Sequence, residues 1–295
     1  MRKHPVAFGI ILLVCIGSVF FAVVYGLSVF KGDSRSFDFG EKVGVVQVEG
    51  IIAGSSEITD QIDEFADDDS IGAVVIRIDS PGGGVAPSQE IYRAIQELRK
   101  KKKVVASMGS VAASGGYLIA TAAERIVANP GTITGSISAV MHFADVQELM
   151  KKVGVRSAVV KSGRFKDIGS PTREMTEEEK QLIQGIVDDI YDQFVRTVAE
   201  NRRMPLPVAQ GLADGRIFTG RQAQQLKLVD DLGGLQEAVL LVGKMAGLQG
   251  KPQVVYAEKK HAGFWKYLLE NTASTVLSEI RKSSTDFWGA QFLFR

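Results

Sequence analysis

Cysteine is almost missing from this 295-residue chain: Cys15 is the only one, and it lies in an apolar stretch near the start. No disulfide can form within one chain, so cysteine usage staples nothing and gives no clue to compartment. Cys15 reads as an apolar filler, since Val14 before it is bulkier than a lipoprotein signal accepts. Histidine is nearly as scarce, with only His4, His142 and His261. There is no His-Glu-x-x-His run and no cysteine pair, so no zinc motif is recognisable. Asp79, Asp167, Asp230 and Asp231 read as turn or salt-bridge residues, and no metal or other cofactor is expected. An excess of one charge is missing too: 35 Lys and Arg against 34 Asp and Glu leave a formal charge of +1. A nucleic-acid-binding surface needs a clear basic excess, so that class is excluded. Low-complexity tracts and solenoid repeats are also absent.

What is present first is an uncharged run. From Val6 to Phe30 there are 25 residues without a charge. As a helix this is roughly 37 Å long, enough to cross a hydrocarbon core of about 30 Å. The reading is a retained transmembrane helix over 6–30, after a short segment 1–5. A cleaved signal peptide is the rival, with Gly26-Leu27-Ser28 as a cleavage site, but its apolar region is usually only about 7–15 residues. Arg2 and Lys3 precede the run while Lys31 and Arg35 follow it, so the charge distribution sets no orientation.

Residues 31–42 are polar and read as a linker. Strands are expected at 43–48, 73–79 and 104–107, with helices at 57–66 and 88–101 and another from the serine at 114 through 123. The run 73–79 is apolar nearly throughout, as in a sheet covered on both faces. Alternation of strands and helices implies βαβ units and an α/β fold. Thr176-Glu177-Glu178-Glu179 is a capping box that opens a long helix. Leu182, Ile186, Ile190, Tyr191, Phe194 and Val198 form its apolar stripe, suited to a core or to packing between subunits. Residues 221–245 read as two helices parted by 230–234. The tail is 251–295, and its part 262–295 mixes aromatic and basic residues, suited to a membrane surface, a neighbouring subunit or disorder. Its last five residues, Gln291-Phe292-Leu293-Phe294-Arg295, are apolar and extended enough to mimic a substrate and enter a cleft.

The chemistry is concentrated in Val111-Ala112-Ala113-Ser114-Gly115-Gly116-Tyr117. A serine among glycines at a helix start can be a nucleophile, because small neighbours admit a substrate and the helix N-terminus favours an oxyanion. An ordinary N-cap serine is the plain alternative, but it leaves the glycines unexplained. Further blocks are Asp79-Ser80-Pro81-Gly82-Gly83-Gly84, Thr134-Gly135-Ser136-Ile137, Phe165-Lys166-Asp167, and Phe218-Thr219-Gly220 with Ala223 and Leu228-Val229-Asp230 behind it.

Five blocks in this order resemble the bacterial signal peptide peptidase A family over roughly residues 43–245. The resemblance implies a crotonase-like (Clp-protease-like) ββα spiral, with 43–250 as the peptidase domain and 251–295 as a tail. It implies Ser114 as nucleophile, Lys166 as base and Ser136 as the residue that orients the lysine. The oxyanion hole is expected from the N–H groups of Gly83 and Gly115. Ser138 stands where the family often has glycine. The family places the catalytic domain outside the cytoplasm, acts on apolar peptides such as remnant signal peptides, and forms ring-like homo-oligomers, here expected to number eight subunits. A lysine base must be desolvated or close to another cation to be neutral. A Clp-type Ser-His-Asp triad could instead use His142, which follows Ser114 by twenty-eight residues. A crotonase-type acyl-CoA enzyme and a non-enzymatic membrane scaffold are the alternatives from other classes.

Overall fold

The computed structural model of the chain describes residues 16–19, 21, 42–258 and 291–293. Residues 16–19 and 21 are helical, and otherwise the run read as a transmembrane helix, the linker up to 41 and the tail over 259–290 lie outside the described residues. Among the described residues no helix is long and apolar enough to cross a membrane.

Seven elements come first: β1 (Lys42–Ile52), α1 (Ser56–Asp67), β2 (Ile71–Gly84), α2 (Val85–Lys101), β3 (Lys103–Ala113), α3 (Gly115–Thr121) and β4 (Arg125–Ala128). Then follow β5 (Ile133–Gly135), α4 (Gln147–Lys152), α5 (Glu177–Asn201), α6 (Leu206–Leu212), β6 (Ile217–Thr219) and α7 (Gly220–Gln225). The last are β7 (Asp231–Leu232), α8 (Leu235–Met245), β8 (Gln253–Tyr256) and β9 (Gln291–Leu293). The strands form one sheet along the path β6-β5-β3-β2-β1-β8, with β4 beside the first half of β3, β7 beside β4, and β9 beside the end of β2. All pairs are parallel except β5 with β6 and β2 with β9.

Both faces of this sheet are buried, which is why its central strands are apolar without alternation. Val43, Val45, Ala73, Val75, Val105 and Val127 point to one side, against Ala238, Val239 and Val242 of α8. Val46, Val48, Val74, Ile76, Ile78, Val104, Ala106 and Met108 point to the other. There they meet α1 (Ile62, Phe65), α2 (Ile91, Ile95, Leu98), α3 (Tyr117, Leu118) and α5 (Phe194, Val198). Each fully buried valine or isoleucine contributes about 1.5–3 kcal/mol. The α/β reading is therefore observed, and the expected helices and strands fall at their places within a few residues. One expected element is shorter: α3 stops at Thr121 rather than reaching 123, and Ala122 and Ala123 close it with turn-type bonds to Ile119 and Ala120. Because β1, β2, β3 and β5 run parallel, their carboxyl ends gather at one rim, where open α/β sheets bind ligands.

Candidate active site

Ser114 is the single residue between the end of β3 and the start of α3. Its backbone has φ 55° and ψ −119°. That conformation costs a non-glycine residue about 1–3 kcal/mol and persists only when neighbours fix it. They do: the Ser114 N–H donates to the Gly135 carbonyl at 2.8 Å, and its carbonyl accepts from the Leu118 N–H at 2.9 Å. The side chain makes no capping hydrogen bond to α3, so the N-cap explanation of this serine fails. A serine held in strain on a strand-to-helix turn has the geometry of a nucleophile elbow. Gly116 is required by the same turn, since a Cβ there would lie 2.9 Å from the Ser80 carbonyl oxygen.

Ser136 leaves the neighbouring strand at the matching level, because Ala113 of β3 pairs with Gly135 of β5. It too has a positive φ, 49°, and its N–H donates to the Arg216 carbonyl at 2.8 Å. Both serines are buried. The glycine loop arrives from the other side of β3. The Ser80 hydroxyl accepts the Gly82 N–H at 3.1 Å, and the Asp79 carboxylate accepts the Val111 N–H at 3.1 Å, tying the loop to the strand that carries Ser114. Gly83 pairs with Ile52 so closely that a Cβ would fall 2.3 Å from the Ile52 carbonyl oxygen. The structure thus brings Ser114, Gly115, Ser136 and Gly83 to one rim.

Lys166 is placed differently. It lies in the turn-rich segment between β5 and α5, with its N–H bonded to the Gly163 carbonyl at 3.1 Å, and its side chain is exposed. Among the described residues, no hydrogen bond joins its ammonium to Ser114 or Ser136. The burial required of a neutral lysine is not met among the described residues. His142 is exposed in the coil after β5.

Two further parts belong to this region, the first foreshadowed by the extended apolar run 291–295 and the second barely signalled in the sequence. One is β9, which lies antiparallel on the glycine loop with Leu293 opposite Gly82, Phe292 opposite Gly83 and Gln291 opposite Gly84. The other is Arg173, which joins the Asp167 carboxylate to that of Glu179 in the first turn of α5. Its three-residue distance from the capping-box threonine was the only hint. The guanidinium and the Thr176 N–H hold the Glu179 carboxyl down from its ordinary 4.5 to about 2, and Arg173 and Lys161 hold Asp167 well below the usual carboxylate range. Farther back, buried Tyr117 donates to the Leu228 carbonyl at 3.0 Å, with its phenol pushed up by burial. Asp230 accepts the Ile126 N–H at 2.7 Å and pairs with Arg202 at 2.7 Å.

Residues 96–249 match the model of peptidase family S49, more than half of the chain, and residues 46–134 match that of Clp protease. The chain belongs to peptidase family S49. The similarity extends to a putative protease of Synechocystis, 44% identical over 220 residues, covering 74% of this chain and 78% of that one. A putative signal peptide peptidase SppA of Enterococcus faecium is 31% identical, covering 82% of this chain and 77% of the relative. Protease 4 of Haemophilus influenzae is 32% identical over 69% of this chain, which spans only 34% of that longer protein. This S49 member is thus a serine peptidase of the signal peptide peptidase A family, and acyl-CoA chemistry and a purely scaffolding role are set aside.

Proposed function

We propose that this S49 peptidase is a membrane-anchored endopeptidase with a Ser114–Lys166 dyad that hydrolyses apolar, extended peptides such as remnant signal peptides. The observation that carries the proposal is the strained, non-capping Ser114 on the β3–α3 turn. In this reading the Ser114 hydroxyl attacks the scissile carbonyl and passes its proton to the neutral Lys166 amine, which Ser136 orients. The Gly83 and Gly115 N–H groups receive the oxyanion. The leaving amine takes the proton back from Lys166. Water, deprotonated by the once more neutral Lys166 amine, then attacks the acyl carbonyl, and Lys166 returns that proton to the Ser114 oxygen as the acyl group leaves. No metal or other cofactor enters.

Substrate recognition follows from β9. A three-residue strand already lies on the edge at Gly82–Gly84, so a peptide can bind there by adding a strand. The backbone supplies hydrogen bonds, and apolar pockets supply selectivity.

The exposure of Lys166 supports assembly into a homo-oligomer. Residues 153–164 are exposed throughout, among them Val153, Val155, Val159 and Val160. A neighbouring copy that covered this apolar arm would also take Lys166 out of water, as a base requires. The resemblance suggests eight subunits. Anchoring through 6–30, with the catalytic domain outside the cytoplasm, rests on the uncharged run and on the family.

The deciding experiment is cleavage of an apolar fluorogenic peptide by the full-length protein in detergent micelles, comparing Ser114→Ala, Lys166→Ala and His142→Ala, each checked for folding. Loss of activity in the first two, with His142→Ala active, is expected. An essential His142 beside a dispensable Lys166 would transfer the base to the histidine. Sedimentation as a monomer at micromolar concentration would count against the assembly.

A further inference from the structure

We propose that Arg173 is a positioning residue for Lys166: it takes up the Asp167 carboxylate next to the lysine and moors the Lys166 turn to α5. The inference rests on the reading of Lys166 as the base. Arg173 Nε donates to Asp167 Oδ2 at 2.8 Å, and Nη2 donates to Asp167 Oδ1 at 3.0 Å and to the Asp167 carbonyl at 3.2 Å. Its Nη1 donates to Glu179 Oε2 at 2.8 Å and its Nη2 to Glu179 Oε1 at 2.5 Å. Nη1 also reaches the Glu174 carbonyl at 3.1 Å. Such a planar fork can hold two carboxylates at once, which a lysine in its place could not do.

Glu179 gives the clamp a fixed base. It is buried and accepts the Thr176 N–H at 2.9 Å as half of the capping box of α5. Asp167 is the other end, one residue after Lys166. The remaining charges around the turn are also taken: Lys161 pairs with Asp167, and Arg164 pairs with Glu178. Lys166 is then, among the ionic residues of 161–173, the one with no ion pair among the described residues.

This arrangement has a chemical use. An amine beside a free carboxylate keeps its proton to higher pH and is a poorer base. Asp167 directly follows Lys166 in the sequence, and Arg173 together with Lys161 keeps its carboxylate engaged elsewhere. Arg173 therefore fixes where Lys166 stands and also which partner it lacks.

The test uses the full-length protein in detergent micelles and the apolar fluorogenic peptide, with kcat and KM followed against pH. Arg173→Gln is expected to lower kcat at least tenfold with KM changed less than threefold. It should also move the acid limb of kcat/KM upward by about one pH unit. Adding Asp167→Asn to that variant should return the limb toward its wild-type position, although kcat stays low. A purely structural role would lower activity without moving the limb, and the second substitution would not restore it. A folded Arg173→Gln enzyme with an unchanged profile overturns the proposal. If Arg173→Gln does not fold, Arg173→Lys, which keeps the charge but loses the two-carboxylate fork, should lower kcat as strongly with a smaller upward movement of the limb, and wild-type kcat in it overturns the proposal. Lys166→Ala separates the two levels: if it is inactive while the Arg173 variants behave as wild type, only the present inference fails. If Lys166→Ala is active, the base assignment fails and this inference with it.

Discussion

At Ser114 the backbone, rather than the hydroxyl, is what speaks for the proposed nucleophile over a capping serine. Glycine adopts φ 55° without the Cβ penalty, so Ser114→Gly should abolish peptide cleavage yet raise unfolding stability by about 1 kcal/mol in a urea titration. A loss of stability instead would mean that the turn is not strained. Gly83 behaves oppositely: with a carbonyl oxygen 2.3 Å from any added Cβ, Gly83→Ala must displace β1 or its own loop. With Gly83 in its proposed role as an oxyanion donor, activity should fall at least about 100-fold. The serine among glycines announced Ser114 in the sequence. The strain did not, since it is imposed by Gly135 and Leu118, which are brought in by pairing and by the helix. Lys166 was named only through the family motif, because Lys161 and Arg164 beside it have equal claim by composition.

Among the elements, α5 shows how far a pattern can be read. Its capping box was legible residue by residue, and the Thr176 side chain accepts the Glu179 N–H as that pattern demands. Thr176→Ala should cost about 1 kcal/mol in thermal or urea unfolding. The stripe was legible as a stripe, but not its division: Phe194 and Val198 are in the core, whereas Leu182 and Ile186 are exposed. Helical periodicity states which side is apolar and is blind to where along the helix the rest of the fold ends. Replacing Leu182 and Ile186 by glutamate should leave the protomer folded. If they pack between copies, sedimentation should show smaller assemblies. The network at the start of α5 also sets an acid limit. Glu179 and Asp167 have lowered pKa values in the folded chain, so their contribution is complete above the ordinary carboxylate range. It is lost as pH falls from about 4.5 toward 2. Acid unfolding followed by circular dichroism should begin at higher pH in Arg173→Gln than in wild type.

For the whole molecule, the α/β class followed from alternation of apolar strands with amphipathic helices, and the absence of polar alternation in β2 foretold a sheet covered twice. Of the short outer strands, β8 was not foretold, and β9 was foretold only as an extended end without a named partner. At four and three residues, β8 and β9 are too short to show a period, and their positions are set by β1 and β2 rather than by their own composition.

The pairing of β8 with β1 sets a timetable for biosynthesis. Lys42, among the first residues of the sheet to leave the ribosome, pairs with Gln253, among the last. Closing so long a loop is entropically slow, and at about 5–20 residues per second β1 must wait on the order of ten seconds or more for its partner. During translation the nascent chain therefore carries an open parallel edge, backed by apolar side chains, that waits for β8. Chaperone attendance should persist until translation has passed Tyr256, and ribosomes stalled earlier should hold chains that remain protease-sensitive at β1.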